Sequence, residues 1–170
     1  MAWRVVAIGG GTGLSVLLKG LKRSDVDVSA VVTVGDDGGS SGRLRRELGL
    51  LPPGDFRSCI AALADDEALM TQLLQYRFGD GALSGHALGN LLLAAMADLT
   101  GSFEQAVLET SRVLNIKGRI MPSTLEAVSV CAQVTDNGAQ GATSRTVRGE
   151  SQVGEAGPGI RRVFLEPGAP

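Results

Sequence analysis

The stretch "WRVVAIGGGTGLSVLLKGLKRSDVDVSAVVTV", Trp3 to Val34, carries three local patterns in succession. "WRVVAIG" is a run of β-branched and small residues, the signature of a parallel strand buried within a sheet. The cluster Gly9-Gly10-Gly11-Thr12-Gly13 interrupts it. "LSVLLKGLKRS" then sets Leu14, Leu17, Leu18 and Leu21 at helical spacing, so a helix is expected from about Leu14. "VDVSAVVTV" returns to the strand pattern. Strand, glycine turn, helix and strand form a βαβ unit, and such crossovers are nearly always right-handed. This unit predicts an open α/β sheet with its functional crevice at the carboxyl ends of the strands.

Downstream, Pro52, Pro53 and Gly54 break the chain, and Asp55 is expected to cap a helix over Phe56–Ala64. Asp65 or Asp66 is expected to cap a second helix over Ala68–Tyr76. "ALGNLLLAAMADLTG" and "SFEQAVLETSRVLNI" predict two more, the latter capped by Ser102. Met121-Pro122-Ser123-Thr124 reads as a helix or turn initiation. From Ala127 the period changes to two, predicting a half-buried strand. A turn is expected at Asp136–Gly138, followed by a returning strand in "TSRTVRGES" and a further strand in "GIRRVFLEP".

At 170 residues the chain fits one domain over residues 1–170, large enough for a sizeable core. Its net charge of −2 offers no general attraction to nucleic acid or to an anionic membrane. Cys59 and Cys131 are isolated from each other and read as reduced core thiols; with a single histidine, a zinc site is not expected. The longest apolar run, "LLLAAMA" from Leu91, is too short to span a bilayer, and no signal-peptide pattern is present. A cytoplasmic protein is expected, and a homo-oligomer is compatible with the composition.

The glycine cluster can bring bare backbone against an anion, and the following helix aims its positive end at the same place. Thr12 adds a hydroxyl. The match to known phosphate loops is incomplete: the third glycine of the dinucleotide fingerprint is missing, and no Gly-Lys-Ser/Thr is present. A tight turn that binds nothing is the alternative. Asp36 and Asp37 follow the second strand, where a dinucleotide fold places its ribose-binding acid. Two adjacent carboxylates also suit a divalent cation. Gly38 and Gly39 relax the backbone, Ser40 and Ser41 supply hydroxyls, and Arg43 can fork onto a phosphate. An Asp-Gly turn leading into the helix "GRLRRELG" is the alternative. In "PPGDFR", Asp55 and Arg57 are either a cap with a surface arginine or ligand contacts. His86, in "SGHALGN", has Asn90 one turn later on the same face and can serve as a general base, as a donor to a bound group, or as a structural hydrogen-bonder.

The motifs "AIGGGTGLSVLLKGLK", "VTVGDDGGSSGRLR", "LPPGDFR", "SGHALGNLLLAA", "MPSTLEAV" and "VRGES", in this order, resemble the gluconeogenesis factor (YvcK-like) family of the CofD-like superfamily. The resemblance implies a Rossmann-like three-layer α/β fold with a parallel sheet, a helical middle segment and a C-terminal β-hairpin. It further implies a bacterial cytoplasmic protein that binds UDP-sugars such as UDP-N-acetylglucosamine and serves cell morphogenesis and wall-precursor supply during gluconeogenic growth. A non-catalytic regulator is expected. The alternative is a magnesium-dependent 2-phospho-lactate transferase of deazaflavin coenzyme biosynthesis, as in the sister branch. By similarity, Gly9 to Gly13 would hold nucleotide phosphates, Asp36 and Asp37 would contact metal or substrate, and His86 and Asn90 would line the pocket. An NAD(P) dehydrogenase is disfavoured by the missing glycine and the doubled aspartate. Family members continue past "EPGAP", so a fragment of a longer domain is expected. "NGAQGATSRT" predicts a looser hairpin than the family's tight one.

Overall fold

The computed structural model describes residues 3–64, 68–138 and 141–168. β1 (Trp3–Gly9), β2 (Val26–Val32) and β3 (Arg119–Pro122) form a parallel sheet in the order β1-β2-β3. β1 and β2 run in register from Trp3 opposite Val26 to Gly9 opposite Val32. The helix between them, α1 (Gly11–Leu21), starts at Gly11 rather than near Leu14. Gly11 has a φ of +63°, which lets the chain turn directly from strand into helix.

The middle of the chain is helical as expected: α2 (Gly39–Leu48), α3 (Pro53–Leu63), α4 (Ala68–Gln75), α5 (Leu88–Thr100) and α6 (Phe103–Val113). Ser102 caps α6, its Oγ accepting from the Gln105 N–H at 3.1 Å. Asp55 does not cap α3. The helix begins at Pro53, whose fixed φ and missing N–H suit a first helical position, so Asp55 falls within the first turn. The expected capping by Asp65 or Asp66 lies outside the described residues.

Met121 and Pro122 belong to β3, not to a helix or turn start; Ile120 pairs with Ala30 and Pro122 with Val32. Proline is tolerated there because it ends an edge strand. β4 (Ser129–Gly138), β5 (Gly141–Arg148) and β6 (Ile160–Glu166) form an antiparallel sheet in the order β5-β4-β6, with α7 (Glu150–Glu155) between the last two in sequence. "DNG" at 136–138 is strand, not turn: Asp136 pairs with Thr143 and Gly138 with Gly141. The pairing extends to Gly138 opposite Gly141, and the turn expected to be looser, at residues 139 and 140, lies outside the described residues.

The main core joins one face of the parallel sheet (Ala7, Val28, Ala30, Val32) to Leu14 and Leu18 of α1, Phe56, Ile60 and Leu63 of α3, and Val107 of α6. Phe56 meets Phe103 edge-on, their ring centres 4.9 Å apart. The expected burial of β1 within the sheet is not met: β1 lies at the edge of the described sheet, and Val6 and Ile8 on its other face are 63% and 74% exposed. Cys59 and Cys131 are buried free thiols. Among the described residues no single helix is long and apolar enough to cross a membrane.

Candidate functional site

Because β1 and β2 are parallel and end side by side, the segments after Gly9 and Val32 leave the same edge of the sheet. The Thr33 N–H donates to the Gly9 carbonyl at 2.8 Å and holds the two exits together. With the first turns of α2, α3 and α5 they enclose a polar cavity of about 300 Å³. Gly11, Thr12 and Asp36 line it, with Gly38, Gly39, Ser40 and Ser41 from α2 and the residue before it. Asp55, Arg57 and Asn90 complete the set of expected residues that line it. Gly54, Ser58 and Arg77 line it as well. Ser58 lies one turn after Gly54 on α3 and follows from the helix period once α3 is placed. Arg77 sits in "QYRFGDG", which carries no local signal.

The remaining expected residues stand outside the lining. Gly9, Gly10 and Gly13 shape the turn; a Cβ on Gly10 would come within 2.5 Å of Asp55 Oδ2. Asp37 turns away to α7, its Oδ1 accepting from the Ser151 N–H at 3.0 Å and the Ser151 hydroxyl at 2.9 Å. Asp36 Oδ1 accepts from the Gly38 N–H at 3.0 Å, closing the loop on itself. Arg43 Nη2 donates to the Ser84 carbonyl at 2.6 Å, pinning the loop that holds His86.

His86 is a buried hydrogen-bonder one layer behind the cavity. Ser40 Oγ lies 3.0 Å from His86 Nδ1, accepts from Asn90 Nδ2 at 3.0 Å, and accepts from the Ala87 N–H at 3.4 Å. With two donors aimed at it, the Ser40 hydroxyl gives its own proton to Nδ1, which places the imidazole hydrogen on Nε2. Ser40 is 3% exposed and Asn90 1%. Ser40→Ala should therefore cost about 1–3 kcal/mol, because His86, Asn90 and the Ala87 N–H all lose their partner. Urea unfolding of the variant measures this; a loss indistinguishable from zero would contradict the network.

The glycine turn already holds an anion. The Gly11 N–H donates to Asp55 Oδ2 at 2.7 Å, so a carboxylate of the chain itself sits at the start of α1. Burial raises the Asp55 carboxyl above its ordinary value; the Gly11 bond opposes this, and the charge of Asp36 adds to it. Glu150, which borders an adjoining hollow with Asp36 and Asp55, is raised by burial and then by Asp36, Asp55 and Asp37. Three carboxylates, Asp36, Asp55 and Glu150, thus border the adjoining hollow together. Arg57 lines the same cavity as Asp36 and Asp55; its guanidinium is lowered by burial first and then by the like charge of Arg77, while Asp55 and Asp36 oppose this.

A family model described as 2-phospho-L-lactate transferase CofD matches residues 5–170. The chain belongs to this family. Within the CofD family it stands with the gluconeogenesis factors. It is 52% identical to the gluconeogenesis factor of Bacillus subtilis over 96% of the chain and 50% of that protein. It is 50% identical to the gluconeogenesis factor of Halalkalibacterium halodurans, over 96% of the chain and 49% of that protein. A crystal structure of a Bacillus halodurans protein, a member of the upf0052 family, superposes with a TM-score of 0.89 at 48% identity, covering 98% of this chain and 52% of that one. The chain thus spans about half the length of these relatives.

Among the described residues of this CofD-family chain, no three His, Cys, Asp or Glu side chains lie close enough to hold a metal by themselves. Asp36 and Asp55 face one cavity, and two carboxylates are what Mg²⁺ usually takes from a protein when phosphate oxygens complete its shell. Asp37, committed to α7, is not placed to join them. The raised Asp55 carboxyl has a consequence for stability. A carboxyl whose folded value lies above its unfolded one contributes stability below about pH 4, and that contribution is lost as pH rises through the folded value. Asp55→Asn, which keeps an acceptor for the Gly11 N–H, should melt a few degrees higher than wild type at pH 7. The gap should close as pH falls toward 4. Melting curves across that range test it, and a gap independent of pH would exclude the carboxyl as its source.

Proposed function

We propose that this chain supplies a nucleotide-sugar-binding region of a gluconeogenesis factor, with a UDP-N-acetylglucosamine-like ligand whose diphosphate enters the cavity. The protein acts in the bacterial cytoplasm as a regulator of cell morphogenesis and wall-precursor supply during gluconeogenic growth. One observation carries the reading: the two loops after β1 and β2, separated in sequence by a whole βαβ crossover, bring Thr12 and Asp36 to the same polar hollow. That is the crevice at the carboxyl ends of the strands, where open α/β sheets bind ligands. A volume of about 300 Å³ takes a diphosphate-sized portion of such a ligand.

The roles divide by chemistry. Thr12 offers a hydroxyl and Arg57 a guanidinium to the phosphates; Asp36 is the acid for a ribose hydroxyl; Asn90, backed by His86 through Ser40, faces the sugar end. Isothermal titration with UDP-N-acetylglucosamine, with and without Mg²⁺, is expected to give saturable binding without turnover. Metal-dependent consumption of a deazaflavin would overturn the regulator reading in favour of a phospholactate-type transferase. The pairing of Asp36 and Asp55 on one cavity is the feature that favours that second reading. In it both carboxylates would hold Mg²⁺, which would supply charge neutralisation to phosphates, while Arg57 and Thr12 would orient them.

A further inference from the structure

We propose that the outer face of α6, with the groove between it and β3, is a self-docking surface on which a second copy of this chain packs about a two-fold axis through Leu108. The groove shares no residue with the polar cavity, so the proposal is independent of the nucleotide-sugar reading.

The groove measures about 520 Å³, larger than the polar cavity. Packing decides which side of α6 forms its wall. Phe103, Ala106, Val107 and Thr110 are buried against the core, whereas Glu104, Leu108 and Arg112 recur at every fourth position on the exposed side. Leu108, the middle of that face, is 49% exposed. Helices related by a two-fold axis through Leu108 run antiparallel. Each residue then faces the one equally far on the other side of position 108, as in any isologous interface.

In that register the face complements itself. Glu104 meets the second copy's Arg112, and Arg112 meets its Glu104. Gln105 meets the second copy's Ser111, and Leu108 meets its own counterpart. All of these residues line the groove. A register slipped by one turn would set Glu104 or Arg112 against Leu108 and leave the charges unmatched. Arg112 also contacts Glu109, but both bonds, at 3.0 and 3.4 Å, use Nη1. That pair is exposed and three residues apart, a kind that contributes little, so it does not withhold the guanidinium. The Ser111 hydroxyl donates to the Val107 carbonyl at 2.6 Å, which leaves its oxygen to accept from the Gln105 amide.

The strand beside the groove is the other candidate for self-pairing, since among the described residues only β2 is hydrogen-bonded to β3. It is four residues long, opens on Arg119 and ends on Pro122. Shortness, charge and proline all blunt an edge strand, so docking through the helix is favoured over strand addition. Ile116, Ile120 and Met121 instead add apolar lining to the groove. One helix face from each copy belongs to the small end of specific interfaces, so the dimer should dissociate on dilution.

The experiment is sedimentation velocity of the chain from low micromolar to submillimolar concentration. Wild type should pass from monomer to dimer. Glu104→Arg sets arginine against arginine at both ends of the face, and Arg112→Glu sets glutamate against glutamate. Each should weaken self-association roughly tenfold or more. An equimolar mixture of the two variants should dimerise again, because every charge pair in the mixed dimer is opposite in sign. Both positions are exposed, so each variant should melt close to wild type. Wild type that stays monomeric at every concentration would overturn the proposal and leave the groove to a different occupant. Self-association unchanged in either variant, or a mixture no more associated than its components, would overturn it as well.

Discussion

Phe56→Ala is expected to destabilise the chain by about 3–5 kcal/mol, the usual cost of emptying an aromatic site in a packed core. Phe56 is fully buried, joins α3 to the sheet, and stacks edge-on against Phe103 of α6. Domains are stable by only about 5–15 kcal/mol in total, so this one change removes a large part of the margin. The effect reaches the site directly, because Asp55 and Arg57 flank Phe56 on the first turn of α3. Guanidinium unfolding should show the midpoint falling sharply, with Phe56→Leu losing much less. A loss below about 1 kcal/mol for the alanine variant would mean that the core closes around the hole, contrary to the packing described.

Gly42→Ala should be nearly as damaging and for a different reason. A Cβ on Gly42 would lie 1.8 Å from the Asp37 carbonyl oxygen and 2.5 Å from its carbon. The obstacle is backbone, which no rotamer change relieves. The Gly42 N–H also donates to the Gly38 carbonyl at 2.9 Å, so the loop carrying Asp36 and Asp37 has to move as a unit. Overpacking of this kind costs about 1–3 kcal/mol or more, and here it should also abolish ligand binding by displacing Asp36 from the cavity. Gly13→Ala is the informative comparison. Nothing lies within 4 Å of its added Cβ, and alanine is favoured over glycine inside a helix by about 1 kcal/mol, so that variant should be as stable as wild type or more so. Equal destabilisation of the two would show that glycine content, not the contact with Asp37, is what the turn requires.

The βαβ opening was legible because its signals are local. The apolar run of β1, the helical leucine spacing of α1 and the serine cap of α6 each depend on neighbours within a few residues. That the two glycine-bearing loops share a crevice also followed from sequence, since parallel strands joined by one crossover end at the same edge. The edge strand β3 was not legible. Arg119–Pro122 is only four residues long and ends in proline, and it becomes a strand by pairing with β2, from which it is separated by five helices. The "DNG" stretch misled for a similar reason: its turn chemistry was overruled by a register that carries β4 on to Gly138.

Sequence alone determined the α/β class, the glycine turn after β1, the paired aspartates after β2 and the family to which the chain belongs, because each is written in contiguous residues. Tertiary structure alone decided how the charges are used. It assigned Asp55 to the Gly11 N–H, Asp37 to α7, and His86 to Ser40, and it brought Arg77 to Arg57. Hydrogen bonds and charge pairs form between whichever groups the packed elements bring within about 3 Å, a separation that spacing along the chain does not encode.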